Sequence, residues 1–254
     1  MSVPPLYPIV VLDEVESTNR AAFERASAGE AGPLWIMARR QTAGRGRSGR
    51  QWASEPGNLH ASLLVQPGCP PAVVPQLSLV SGVAVMDAIQ QALGSRDVAL
   101  RLKWPNDVLI GQAKCAGILA ESMTGREVVT AVIGIGINLA WHPSGLGRAA
   151  TSLAEHGTHV SPEAMLDMLA SAMQRWLEAW QGGAGFGAIR QAWLERAGPL
   201  GEACSVNTGT ERLEGKFLGL DPAGALLMQD EKGRQRSIGF GDVTLVRAAA
   251  AERG

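Results

Sequence analysis

The pattern of apolar residues changes at Gly198-Pro199, and this change constrains the fold more than any other feature of the chain. Before it, apolar runs at helical spacing alternate with short runs joined by turn residues, which favours an α+β fold over a doubly wound one. After it, residues 203–247 carry short strand-like runs divided by Gly, Asp and Pro, a pattern typical of a small all-β barrel. We therefore predict a main domain at 1–198, a β domain at 199–247 and a frayed tail at 248–254.

Capping and turn signals give the elements of the main domain. Ser161-Pro162-Glu163 combines an N-cap, a proline at the first helical position and an early acid, and so begins a helix. Gly111-Gln112 is typical of a hairpin turn, which would bring Asp107 and Lys114 together. Helices are predicted at 20–28, 76–93, 162–181 and 188–197, and strands at 9–15, 34–39, 59–65, 100–104, 108–110, 115–122 and 128–139.

Charge and composition exclude several classes of protein. The net charge is −1, which argues against a chain-wide basic surface for nucleic acid. No apolar run is long enough to span a bilayer, and residues 1–8 do not have the pattern of a secretory signal. The three cysteines are scattered, as in a reducing cytosol, and the four histidines are too dispersed to predict a metal site. We therefore expect a cytoplasmic protein that binds neither nucleic acid nor membrane.

The segment from Arg39 to Arg50 holds five arginines, three glycines and no acid. Glycine lets backbone N–H groups approach an anion closely, and arginine supplies paired charged donors, so the segment is a candidate anion site. The alternative is a solvated basic loop without regular structure. Gly44, Gly46 and Gly49 also fit the dinucleotide fingerprint, but that motif must open a helix, and Trp52 to Gly57 show no helical pattern.

Two further segments place polar groups at strand ends. Lys103-Trp104-Pro105-Asn106-Asp107 is either a simple turn or a site that joins a cation, an amide and a carboxylate. Lys103 and Lys114 are half of the four lysines in a chain with 19 arginines, which suggests that a compact point charge is needed there. The alternating glycines of residues 132–138 indicate either close strand packing or a face on which a flat ligand can lie, with Asn138 beside it.

A fourth segment is Glu16-Ser17-Thr18-Asn19, which on its own is a helix cap, although small hydroxyls at a helix start can also hold a ligand. Taken in order, these segments resemble the biotin protein ligases, and the resemblance covers roughly residues 9 to 247. The stretches that carry it are 16–19, 41–52 (Gln-Thr-Ala-Gly-Arg-Gly-Arg-Ser-Gly-Arg-Gln-Trp), 103–107, 114–119 (Lys-Cys-Ala-Gly-Ile-Leu) and 134–139 (Gly-Ile-Gly-Ile-Asn-Leu).

The resemblance implies a mixed-sheet α+β catalytic domain followed by a small SH3-like β-barrel. It implies that biotin and ATP, with Mg²⁺, give biotinyl-5′-AMP and pyrophosphate. A specific lysine of a biotin carboxyl carrier domain, the expected protein partner, then takes the biotin. It also implies a monomer or homodimer, and loops near 45–52 and 140–150 that become ordered when ligand binds.

The resemblance also assigns residue roles. Lys114, Arg47 and Asp107 are the catalytic candidates: Lys114 and Arg47 stabilise charge on the carboxylate and phosphate, and Asp107 orients the acceptor lysine or takes a proton from it. Asn138 is expected to read adenine. The residues implied around biotin are Ser17, Thr18, Asn19, Gln41, Gly44, Arg45, Gly46, Arg47, Lys114 and Gly117. Those implied around ATP and the adenylate are Arg45, Arg47, Trp52, Asn106, Lys114 and Asn138.

Three alternatives to a biotin ligase remain. A lipoate or octanoate protein ligase has a related core but lacks the Arg–Gly loop. A repressor that responds to biotinyl-AMP needs an N-terminal helix-turn-helix domain, for which the chain ahead of Glu16 has no room, so we expect a monofunctional ligase. A catalytically inactive biotin binder is disfavoured because Arg47 and Lys114 are both present. Ser48 departs from the family pattern, in which a basic residue is frequent there.

Overall fold

The protein is described by a computed structural model that covers residues 7–125, 128–145 and 149–245. The tail predicted at 248–254, the last two residues of the β region predicted at 203–247 and residues 146–148 of the loop predicted at 140–150 lie outside these ranges. The helices are α1 (Thr18–Ser27), α2 (Gln76–Leu93), α3 (Pro162–Trp180) and α4 (Phe186–Glu195). The strands of the main domain are β1 (Ile9–Val15), β2 (Leu34–Gln41), β3 (Leu59–Val65), β4 (Leu100–Lys103), β5 (Asp107–Ile110), β6 (Ala113–Thr124) and β7 (Val129–Ile137).

The main-domain strands form one mixed sheet in the order β1-β2-β3-β7-β6-β5-β4. β1 and β2 are parallel, whereas every other neighbouring pair in this sheet is antiparallel. Hairpin connections dominate after α2, so the sheet agrees with the predicted α+β class. The arginine-rich segment after β2 forms only a short 3₁₀ turn at Arg47–Gly49 and a bridge between Arg45 and Gln51.

Each face of the sheet is covered by different helices because side chains alternate along a strand. On β2, Trp35 and Met37 join the large core beneath α2 and α3, whereas Leu34 and Ile36 join the small core beneath α1. α1 covers only part of its face, and the uncovered part of that face is where the polar segments of the sequence meet.

The C-terminal residues form a separate antiparallel sheet, with β8 (Ala203–Asn207), β9 (Arg212–Leu220), β10 (Leu226–Asp230), β11 (Gln235–Ile238) and β12 (Asp242–Leu245). Its strand order is β11-β10-β9-β8-β12, and no pairing joins the two outer strands within the described range, so closure into the predicted barrel stays a prediction. Trp104 Nε1 donates to Gly224 O at 3.1 Å, and Arg190 Nε donates to Leu220 O at 2.8 Å. These bonds hold this sheet against the main domain. No helix within the described ranges is long and apolar enough to cross a membrane.

Candidate active site

A cavity of about 930 Å³ lies on the α1 face of the main sheet, beside the C-terminal sheet. It is lined by the start of α1, the loop after β2, the β4–β5 turn, and parts of β6, β7 and β12. Most of the predicted site residues line it: Ser17, Thr18, Asn19, Gln41, Arg45, Gly46, Arg47, Trp52, Asn106, Asp107, Lys114 and Gly117. The structure therefore brings together residues that are up to 100 positions apart in the sequence.

The floor of the cavity is a row of residues that the strand register places side by side. Lys103 pairs with Asp107, Asp107 with Gly117, Gly117 with Gly136, and Gly136 with His60. Since directly paired residues point to the same face, the row runs from two charged side chains to two glycines. Because glycine has no side chain, other groups can lie directly against the backbone in the middle of the sheet.

A flat group does lie on this glycine floor, and it belongs to the protein. A Cβ added to Gly136 would lie 2.4 Å from Cε2 of Trp52, and one added to Gly117 would lie 3.0 Å from Cζ3 of the same ring. The indole Nε1 of Trp52 is buried and has no hydrogen-bond partner in the described structure. Of the two interpretations of the glycine pattern, the structure shows close packing, here by the Trp52 ring, and a ligand on this surface stays a prediction.

The loop that carries Trp52 is fixed at both ends by hydrogen bonds. The Gln41 amide oxygen accepts from the Thr18 backbone N–H at 2.8 Å, and its Nε2 donates to Ser54 Oγ at 2.8 Å. Gly44 sits where the loop turns, because an added Cβ would lie 2.5 Å from both Ser54 Oγ and the Trp52 carbonyl oxygen. Gly44 does not line the cavity, so the structure gives it a role in shaping the loop.

Polar groups at the start of α1 form the other wall. Ser17 occupies the N-cap position, yet its side chain makes no capping hydrogen bond, which leaves the hydroxyl available. Ser62 Oγ lies 2.7 Å from Thr18 Oγ1 and 2.6 Å from Asn19 Oδ1. Asn19 Nδ2 donates to Glu121 Oε2 at 2.7 Å, so this wall is a connected polar network at the edge of the glycine floor.

Asp107 and two lysines form the charged end of the floor. Lys103 Nζ lies 3.0 Å from Asp107 Oδ2, and Lys114 Nζ donates to Asp107 Oδ1. The approach of Asp107 and Lys114 predicted from the hairpin is thus confirmed. Burial alone would raise the pKa of the Asp107 carboxyl, but the two ammonium groups outweigh it and lower the pKa to about 2. Asp107 is therefore ionised at neutral pH and is a weak proton acceptor.

Arg47 extends from the loop over the cavity toward the C-terminal sheet. Its Nη1 donates to Asn106 Oδ1 and to Gly241 O, each at 3.3 Å, and lies 3.8 Å from Asp242 Oδ1. Burial lowers the pKa of the guanidinium, but arginine stays charged throughout the range in which proteins work. Arg45 is half exposed and lies 3.6 Å from Glu121, at the polar wall rather than the charged end.

Asn138 is the second predicted site residue, after Gly44, that does not line the cavity. It is buried outside the cavity lining, and its Nδ2 donates to Thr151 O at 3.0 Å and to Lys114 O at 3.4 Å. These bonds tie the end of β7 to the backbone that carries Lys114. A contact between Asn138 and adenine stays a prediction.

Sequence reasoning missed three contributors to the site. Glu121 comes four residues after Gly117 on β6. Because side chains alternate between the two faces of a strand, this spacing could have placed Glu121 on the same face as Gly117. Ser62 had no distinguishing signal in its apolar strand. Asp242 comes from the other domain, and no local pattern predicts a contact between domains. Within the described ranges, no cluster of three or more His, Cys, Asp or Glu side chains is arranged to hold a metal ion.

Comparison with known families gives two matches along the chain. The model described as the biotin/lipoate A/B protein ligase family matches residues 11–138, and the model of the biotin protein ligase C terminal domain matches residues 200–246. These matches fall on the main domain and on the C-terminal sheet.

Among curated proteins, the chain is 41% identical over 232 residues to a biotin–[acetyl-CoA-carboxylase] ligase of Paracoccus denitrificans, covering 89% of this chain and 95% of that one. It is 33% identical to the bifunctional ligase/repressor BirA of Bacillus spizizenii, covering 89% of this chain and 70% of that one. Among solved structures, the biotin protein ligase from Aquifex aeolicus in complex with biotin and ATP superposes with a TM-score of 0.80 at 28% identity. That match covers 94% of this chain and 99% of the other.

Proposed function

The chain belongs to the biotin/lipoate A/B protein ligase family and is a biotin protein ligase, and we propose that it attaches biotin to a protein lysine through a biotinyl-adenylate. In the first step the biotin carboxylate attacks the α-phosphorus of ATP, and pyrophosphate leaves. In the second step the amine of a lysine on a carrier domain attacks the acyl carbon of the adenylate, and AMP leaves. We propose a biotin carboxyl carrier domain as the acceptor; the relative from Paracoccus denitrificans is named as a biotin–[acetyl-CoA-carboxylase] ligase.

The observation that carries the proposal is that the glycine floor lies next to a cluster of cations in one cavity. Biotin has an apolar body with one polar head and one carboxylate, which suits an apolar floor between a polar wall and a charged end. Thr18, Asn19 and Gln41 form that wall, and Lys114 with Arg47 stand at the charged end. The glycine floor, with the Trp52 ring lying on it, is between them, so a single ligand along the cavity can contact the wall, the ring and the charged end.

The cations provide the main means of catalysis. Attack of a carboxylate on a triphosphate brings two anions together, and fixed positive charges at the reacting oxygens lower that barrier. We assign this role to Lys114 and Arg47. Lys114 is held by Asp107, and its ammonium group lies 5.4 Å from the centre of the Trp52 ring, so it is aimed at the floor before any ligand binds.

Asp107 orients lysine side chains in this scheme. Because the pKa of the Asp107 carboxyl is about 2, Asp107 does not readily take a proton from an acceptor lysine, whose ammonium group has a pKa of about 10.4. It does hold the ammonium groups of Lys103 and Lys114 through separate oxygens. We therefore favour orientation over proton removal, the two roles that the resemblance left open for this residue.

Mg²⁺ enters the proposal as part of the ATP substrate. The acids that line the cavity, Asp107 and Asp242, each face two basic side chains, and no metal-ligand cluster was found in the described ranges. This donor set does not fit a resident metal, whereas Mg²⁺ commonly binds through substrate phosphates and water. We assign it no protein ligand. We also propose that the chain divides at 198/199, acts in the cytoplasm, and is monomeric or homodimeric.

The test follows the two steps separately. The purified chain is incubated with biotin and MgATP, and pyrophosphate release and biotinyl-AMP are measured; an apo carrier domain is then added and its mass is determined. We expect an adenylate first and a biotinylated carrier second. Lys114→Ala should abolish most of the first step, and Lys216→Ala, at an exposed lysine of β9, is the matched control. Modification of a carrier by lipoate but not by biotin would contradict the proposal.

A further inference from the structure

Three basic side chains of the main domain end on consecutive residues of the C-terminal sheet. Arg47 Nη1 donates to Gly241 O at 3.3 Å, Arg50 Nη2 pairs with Asp242 Oδ2, and Lys103 Nζ donates to Val243 O at 3.1 Å. We refer to residues 240–243 as the clasp. The Phe240 ring belongs to it as well, because its centre lies 5.2 Å from Cζ of Arg47.

The hydrogen bonds of Arg47 leave one side of its guanidinium for a ligand. Among the described residues, those bonds all start from Nη1: Asn106 Oδ1 and Gly241 O accept from it, and Asp242 Oδ1 lies 3.8 Å away. A guanidinium has five N–H donors in a rigid plane, so Nε and Nη2 remain as a fork that suits a carboxylate or phosphate. The side chain is only 17% exposed, so little freedom is left for other orientations.

The clasp adds contacts to the side chain of Arg47 that its own loop does not provide. The backbone of the loop is held internally, because the Gly46 N–H donates to Arg50 O at 2.7 Å and the Trp52 N–H donates to Gly44 O at 2.9 Å. At its tip, Ser48 adopts the left-handed φ of 55° and Gly49 a φ of 73°. These backbone bonds do not involve the guanidinium of Arg47, which is held by Asn106 and by residues 240–242.

We propose that the clasp positions Arg47 for the adenylation step, with Asp242 as the positioning residue. This inference rests on the proposed function, because it assumes that Arg47 meets the reacting anions. It gives the C-terminal sheet a defined task in the first chemical step, although no residue of that sheet touches the reacting atoms in this scheme. The arginine remains the group that contacts substrate.

The charge of Asp242 predicts how the kinetic constants change. Replacing Asp242 by Asn loosens Arg47 and Arg50 but also removes a negative charge beside the cavity, which strengthens attraction for ATP and biotin. The expected result is a fall in kcat with KM unchanged or lower. Misplacement of a catalytic group by about 1 Å can reduce a rate by up to ~10²-fold, so we expect a fall of about tenfold. Separation of the two domains would raise KM instead.

The experiment measures biotinyl-AMP formation without acceptor, at varied ATP and at varied biotin. The variants are Asp242→Asn and Asp242→Glu, and the control is Glu214→Gln, which removes a carboxylate from an exposed ion pair on β9 of the same sheet. We expect Asp242→Glu to recover at least half of the rate and Glu214→Gln to match the unaltered protein. Phe240→Ala is a second clasp variant that should fold readily because this ring is 61% exposed; its expected fall in kcat is about threefold.

The double variant Arg47→Ala/Asp242→Asn separates positioning from a general structural effect. If Asp242 acts through Arg47, the double variant is no slower than Arg47→Ala in single-turnover reactions. A further loss in the double variant, a rise in KM without a change in kcat, or a wild-type kcat for both Asp242→Asn and Phe240→Ala would overturn the inference. In each of these outcomes the unaltered protein still makes biotinyl-AMP. Failure of the unaltered protein to make it would instead refute the proposed function.

Discussion

Gly136→Ala tests the glycine floor most directly, because the structure gives the size of the steric conflict. The added Cβ would lie 2.4, 2.5 and 2.6 Å from three atoms of the Trp52 indole, whereas ordinary contacts are 3.4–4 Å. The ring must therefore retreat by about 1 Å or leave the floor. Gly136 cannot retreat in the opposite direction, since β7 lies between β3 and β6 and Gly136 pairs with both Gly117 and His60.

We expect two effects of Gly136→Ala. The rate of biotinyl-AMP formation should fall by up to ~10²-fold, because a shift of about 1 Å at the floor misplaces the ligand relative to Lys114. The free energy of unfolding should fall by about 1–2 kcal/mol, the lower part of the range for an overpacked site, since a loop side chain can yield more easily than the core. Pyrophosphate release and urea denaturation measure the two quantities.

The control and the second background make the result decisive. Gly187→Ala lies on α4 with no neighbouring atom within 4 Å of the added Cβ, so it should leave activity unchanged and raise stability by up to ~1 kcal/mol. In the Trp52→Ala background the steric conflict is gone, and Gly136→Ala should no longer lower stability. If it lowers stability equally in both backgrounds, or if Gly136→Ala activates biotin at the normal rate, the reasoning about the floor is wrong.

Three further predictions concern the charged end of the cavity. Lys114→Ala and Arg47→Ala should each slow biotinyl-AMP formation by ~10²–10³-fold, as loss of a fixed charge at a reacting oxygen does, while circular dichroism shows a normal fold. Asp107→Asn should lower the free energy of unfolding by about 3–5 kcal/mol because it removes the buried carboxylate that forms ion pairs with both Lys103 and Lys114, and urea denaturation would detect this loss. The pKa of the Asp107 carboxyl falls from 3.8 to about 2 on folding, so the ionised carboxylate stabilises the folded protein by about 2 kcal/mol above pH 3.8. This stabilisation is lost as the pH falls from 3.8 toward 2. The difference in free energy of unfolding between the unaltered protein and Asp107→Asn should therefore shrink across that interval.

The alternation of strand residues explains how much of the site could be predicted. The hairpin at Gly111 correctly brings Asp107 and Lys114 together. The Gly–Ile alternation left two interpretations open, and the structure shows close packing: Trp52 lies on Gly136 and Asn19 lies on Gly134. The hairpin and the alternation depend on neighbours in sequence or on the two-residue period of one strand. The same period places the glycines of β6 and β7 side by side once the register is known.

Contacts between distant segments could not be predicted in this way. Trp52 lies on Gly136 although 84 positions separate them, and nothing in either segment specifies the other as its partner. The burial of Asn138 depends on the backbone near Thr151. The contacts of Asp242 with Arg47 and Arg50 depend on how two domains pack. Burial and domain packing are properties of the assembled fold, so local patterns do not encode them.

The charged end also shows why a net charge of −1 is compatible with an anion site. Asp107 is shared by Lys103 and Lys114, and Asp242 by Arg47 and Arg50, so four cations face two acids within one cavity. The acids reduce the repulsion that would otherwise keep these cations apart in the free protein, yet the local sum remains positive. In the proposed scheme a substrate anion attracts Lys114, and the salt bridge to Lys103 then remains to stabilise the Asp107 carboxylate. We propose that the Asp107 oxygen that Lys114 leaves accepts a hydrogen bond from the acceptor lysine.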